Sequence, residues 1–195
     1  MLHAVTGALK YCGALGSCAA IALCTLYVTR PTAQGRSQVD TVANESNASP
    51  IYGVRIPPGY RDWKLIAMGQ FVVGKLDQLR AQLGNEIAIK AFKEGKVPFP
   101  DGAIIAALHW NHVPSEDNNK VLDGPFPGAQ SFVVGSAVNV QFMVKDSKKY
   151  AATGGWGFGH FNADGKPVDA AFMKPCYPCH AQFKAHDMVF TQYAP

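Results

Sequence analysis

The stretch Cys176-Tyr177-Pro178-Cys179-His180 constrains this chain more than any other. Two thiols spaced by two residues, with a histidine directly after the second, serve three chemistries. They anchor a haem through its two vinyl groups with the histidine on iron, they supply half a zinc site, or they form a redox pair. Zinc needs two further convergent ligands, and His109, His112, His160 and His186 are scattered singly on unlike segments. A redox pair follows a strand and opens a helix in a parallel α/β setting, which the strand pattern below does not offer. A disulfide across two residues would close only a tiny loop and staple little. The reading is therefore one covalently attached haem c, with Cys176 and Cys179 as attachment points and His180 as axial iron ligand. Met143, Met173 and Met188 are candidates for the opposite iron face. Met173 stands too near Cys176 to cross a haem, and the other two lie in apolar runs where core packing is the better reading.

The other three cysteines, Cys12, Cys18 and Cys24, fall in one apolar run from Tyr11 to Val28, within a segment that has no acid before residue 36. Residues 1–35 read as a signal peptide or an N-terminal membrane anchor, with Ala33 and Gly35 offering a small-x-small cleavage site. A lipobox-like LGSC ends at Cys18 inside that run. Covalent haem attachment is an extracytoplasmic process, so export to the periplasm and the motif agree. Residues 36–50 are polar and without periodicity, as in a flexible linker, and the N-x-S sequons at Asn44 and Asn47 are read as chance. The remaining residues, 51–195, make one domain. The chain carries 18 basic and 14 acidic residues. No dense basic stripe accompanies this modest excess, which excludes nucleic acid as an expected partner.

Five segments have strand character: 63–73, 78–84, 102–110, 138–144 and 155–161. Between the second and third, Asn85 can cap a short helix that Gly95 ends, and Asp146 with Gly154 or Gly155 repeats that logic over 146–155. Short connections with helices as inserts predict an α+β fold: a mainly antiparallel five-stranded sheet with short helices and a C-terminal haem-attachment segment.

With GYRDWKLI, FPDGAIIA, VKDSKKYA, GGWGF, CYPCH and HDMVFTQYAP in this order, the chain resembles the cytochrome P-460 and cytochrome c′-beta family from about Tyr60 to Pro195. The resemblance implies a sheet-rich haem domain, often a homodimer. In the enzymatic branch, which oxidises hydroxylamine, a lysine on the strand after Asp-Gly is cross-linked to the haem rim. That position falls on Ala107 here, which has no amine. The branch also uses a distal carboxylate, and the matching place here holds Phe142 or Gln141. The expectation is an open distal haem site binding nitric oxide, carbon monoxide or related small ligands, walled by Phe142. The alternatives are an oxidoreductase acting on hydroxylamine or nitric oxide without the cross-link, and an electron-transfer cytochrome serving a redox partner protein. His109, two residues beyond Ala107 on the same face, is a candidate distal hydrogen-bond donor or sixth ligand. The favoured reading makes it a partly exposed strand-end histidine instead.

Overall fold

Alternation of side chains along five segments gives five strands: β1 (Lys64–Val73), β2 (Leu76–Gly84), β3 (Ile104–Pro114), β4 (Phe132–Lys145) and β5 (Trp156–Asn162). In this computed structural model, which describes residues 47–194, they pair antiparallel in chain order as one open sheet. The segment assigned to export and most of the linker lie outside the described residues. Among the described residues no helix is long and apolar enough to cross a membrane.

Among the described residues four short helices decorate the sheet: α1 (Glu86–Glu94), α2 (Glu116–Leu122), α3 (Ala170–Met173) and α4 (Cys176–His180). Asn85 caps α1 as its type predicts, its Oδ1 accepting from Ala88 N at 3.0 Å. The same oxygen accepts from Ile104 N at 3.1 Å, and Nδ2 donates to the Gly102 carbonyl at 2.7 Å, so one side chain joins the helix start to the start of β3. The helix expected over 146–155 is only turns and a 3-10 segment, Ala151–Thr153. Asp146 does cap this stretch, accepting from Lys148 N and Lys149 N, but the two adjacent glycines unwind it before a helical turn accumulates.

Each face of the sheet is covered by a different stretch of chain. One face buries Ala106, Leu108, Val140, Phe142 and Phe161 under Val54, Tyr52, Ile56 and Tyr60 of the N-terminal segment. Ser49 is buried there as well, exchanging backbone hydrogen bonds with Gly53 and Val54. The other face packs Ile66, Ile105, Trp156 and Phe158 against Ala88, Ile89 and Ala91 of α1 and against Met173, Met188 and Val189 of the C-terminal segment. The C-terminus is tied to β1 by Ala194 N donating to the Ile66 carbonyl at 2.8 Å. That second cover is incomplete, and the gap is the cavity described below.

Close approach explains one of the β5 glycines. A Cβ at Gly157 would enter the ring of Tyr150. Gly157→Ala therefore overpacks a rigid aromatic contact, and the urea midpoint should fall by the equivalent of about 1–3 kcal/mol. Gly124→Ala, where an added Cβ meets nothing within 4 Å, should leave the midpoint nearly unchanged.

Candidate functional site

The Cys-x-x-Cys-His stretch folds as α4, entered from Pro175, and Pro178 sits in its first turn where a missing N–H breaks no helical bond. Helical spacing puts Cys176 beside both Cys179 and His180. Cys176 and His180 are half-buried and line a cavity of about 560 Å³, while Cys179, at the next turn position, is exposed. Burial pushes the Cys176 thiol above its ordinary range, the opposite of what an attacking redox thiolate requires. Among the described residues no group of three or more histidine, cysteine or acidic side chains converges as a metal site would.

The orientation of His180 follows from a hydrogen bond. Its Nδ1 lies 2.8 Å from the Met188 carbonyl oxygen, which can only accept, so Nδ1 carries the proton and Nε2 keeps its lone pair. The rings of Phe158 and Phe190, at 4.9 and 4.8 Å between centroids, hold the imidazole from two directions. Burial lowers the His180 pKa, opposed by the Met188 carbonyl, and both neutral imidazole and a free Nε2 suit a metal ligand.

Presenting that carbonyl requires an unusual backbone. Asp187 and Met188 both lie in the left-handed region, at φ 49° and 65°, which costs a non-glycine residue of order 1 kcal/mol or more. A buried ion pair holds the turn. Lys145 Nζ donates to Asp187 Oδ1 and Oδ2, each at 2.8 Å, and to the Gly154 carbonyl at 3.2 Å, while Phe99 N donates to Asp187 Oδ2 at 2.8 Å. Lys145 also lies 4.8 Å above the Trp156 ring. Gly154 has no room for a Cβ because the Met188 side chain occupies that space.

The sheet supplies the cavity floor in three rows. Phe158, Met143 and Ile105 form an apolar row. Next to it, in register across all five strands, run His160, Gln141, Ala107, Gln82 and Ala67. Beyond those stand His109, Arg80 and Gly69. All of these residues line the cavity, and no lysine, aspartate or glutamate does.

The floor places the distal candidates. Ala107 and Gln141 face the cavity at its centre as a small side chain and an amide. Phe142 does not wall it. Although the residue borders the cavity, it is only 1% exposed and its ring packs edge-on against Tyr60 and Phe161 on the other face. Strand parity is the reason: Phe142 pairs with Ala106 and Gly159, and that row points away from the cavity rows. The strand-end reading of His109 is also corrected. β3 continues to Pro114, so His109 is mid-strand and 2% exposed, with Nδ1 donating to Gln78 Oε1 at 3.0 Å. His160, buried and set against Phe172, joins the same floor. His112 is instead paired with Asp77 at 2.9 Å and stacked near Phe132, and His186 is exposed. Met173 and Met188 are core residues, whereas Met143 reaches the cavity. Sequence reasoning did not single out Gln78, Arg80 or Gln82. Their signal was three polar residues at period two in β2, all on one face.

Burial, then Arg80, then His160 lower the His109 pKa from 6.5 to about 3. The folded chain thus binds this proton far more weakly than the unfolded chain does. The associated stability is complete above about pH 6.5 and is lost as pH falls toward 3, by up to about 1.4 kcal/mol per pH unit. His160, lowered by burial, acts in the same direction. Between pH 7 and 4 the urea midpoint should decline, and His109→Gln should flatten that decline. Asp187→Ala leaves Lys145 buried without its partner and should cost about 3–5 kcal/mol. Lys145→Met with Asp187→Leu should recover part of that loss, since no charge is then left unpaired.

The Cytochrome P460 family matches this chain over residues 57–191. None of the curated proteins compared with the chain matches it.

Proposed function

The chain belongs to the Cytochrome P460 family and is a haem cytochrome, and from that premise we propose that it is an exported, periplasmic protein carrying one covalent haem c that binds nitric oxide, carbon monoxide or a related small ligand at an open iron face. The observation that carries this reading is the 2.8 Å contact of His180 Nδ1 with the Met188 carbonyl, which requires the proton on Nδ1 and leaves Nε2 free on a residue lining the cavity. The residues fit the group. Cys176 stands on the same wall with its thiol half-buried, Cys179 follows one turn later, and the cavity falls within the roughly 300–1,000 Å³ of typical cofactor sites. When bound, the haem supplies an iron with one coordination position for a small ligand.

The chain's own residues shape what reaches that position. Ala107 and Gly69 keep the floor low, Phe158, Met143 and Ile105 exclude water along one side, and the Gln141 amide can donate to a bound ligand. His109 donates Nδ1–H to Gln78, so its Nε2 can only accept. That arrangement weighs against the candidate donor role of His109 and leaves its candidate role as a sixth ligand. The oxidoreductase alternative has little support in the lining. No amine is available for a cross-link at Ala107, no carboxylate is present for proton relay, and an imidazole whose conjugate acid has a pKa of about 3 is a weak base at neutral pH. A six-coordinate electron carrier is the second reading. The observation favouring it is the same free Nε2 of His109, a competent iron ligand if it lies within reach. A homodimer, expected from the resemblance, has its clearest candidate surface along β1, where Met68, Val72 and Val73 are exposed.

Attachment and ligand access are tested separately. Cys176→Ala with Cys179→Ala should release haem to acid–acetone, whereas either single change should retain one thioether and resist extraction. Haem that stays bound to the double variant would rule out the covalent assignment. The ferrous wild-type protein should bind nitric oxide saturably at one equivalent per chain. Absence of any spectral change with excess nitric oxide would contradict an open face.

A further inference from the structure

Arg80 is the cation that the cavity does not balance. It projects from β2 between Gln78 and Gln82, in register with His109 and Gly69, and lines the cavity. Its Cζ lies 3.7 Å from the centroid of the Phe71 ring, so one flank of the guanidinium is covered by an aromatic face. Its Nε is fully buried without a hydrogen-bond partner. No carboxylate lines the cavity, and none of the ion pairs among the described residues involves Arg80. A half-buried guanidinium remains charged, and an unmet buried N–H costs about 1–3 kcal/mol. The charge is answered by an anion with two oxygens, the geometry that guanidinium binds through paired N–H donors.

We propose that Arg80 is an anion-binding residue of this cavity, taking a carboxylate-shaped anion on the guanidinium edge that Phe71 leaves uncovered. Two sources offer that chemistry: a propionate carboxylate of the bound haem, or a free small oxyanion such as formate or nitrite. Arg80 then acts either as an anchor that orients the cofactor or as the group that selects a charged ligand. The inference rests on the haem reading for the first source but not for the second.

The test compares haem-loaded wild-type protein with Arg80→Gln and Arg80→Lys. Formate is the added probe, at ionic strength matched with chloride, and its binding is followed by thermal shift as well as by the haem spectrum. For a free oxyanion, formate stabilises the wild type saturably, and the apparent affinity falls at least tenfold in Arg80→Gln and less in Arg80→Lys. For a propionate, formate has no effect, but Arg80→Gln shifts the propionate bending mode in resonance Raman and lowers the midpoint potential, because removing a cation favours the ferric state. Arg80→Lys then restores the potential more fully than it restores the bending mode. If neither formate binding nor the propionate mode responds to Arg80→Gln in folded protein, the proposal is overturned. Wild-type protein without covalent haem would instead defeat the cofactor reading, and formate stabilisation would then decide the proposal alone.

Discussion

Lys145 and Asp187 form the ion pair on which the geometry of the site depends. Lys145 ends β4 and Asp187 belongs to the segment that follows α4, so their contact fixes the C-terminal cover onto the sheet. Every polar atom of the pair is used: the ammonium meets two carboxylate oxygens and the Gly154 carbonyl, and the carboxylate also accepts from Phe99 N. Such a pair is weak evidence for net stability, since two charges must be desolvated. Its contribution here is positional. It holds two consecutive left-handed residues, and these aim the Met188 carbonyl at His180 Nδ1. Gly154 takes part twice, through its carbonyl and through the missing side chain that makes room for Met188.

From this constraint the division of labour in the cavity follows. The C-terminal segment supplies the half-buried Cys176 thiol and the oriented His180 imidazole, and the sheet supplies a floor graded from apolar to polar. At the polar end stand two buried histidines, kept neutral largely by burial, and one arginine without a counterion among the described residues. The floor thus carries a positive charge and no negative one, an electrostatic bias that a hydroxylamine-oxidising site with a carboxylate would not have.

Much of this was legible in the sequence. The cysteine–histidine spacing, the Asn85 cap and the five alternating segments each carry a local signal, and local signals survive folding. What depended on register did not. Phe142 and Gln141 are adjacent, and only the pairing with Ala106, Ala107 and the β5 residues decides which of them faces the cavity. His109 was misread because β3 was expected to stop at Trp110, whereas residues 110–114 pair with 132–137 of a longer β4. Arg80 was passed over because a polar face at period two reads as solvent-facing until something is found opposite it. The Lys145–Asp187 contact joins residues 42 apart, with no pattern in either neighbourhood to announce it.

His180, through Nε2, is proposed as the one protein ligand to the haem iron, with the opposite face open. Magnetic circular dichroism of the ferrous, ligand-free holoprotein tests it most directly. An open face gives a high-spin, five-coordinate spectrum that converts to low spin when carbon monoxide is added. A low-spin, six-coordinate spectrum before any ligand is added would contradict it, placing a second side chain, such as His109 or Met143, on the iron.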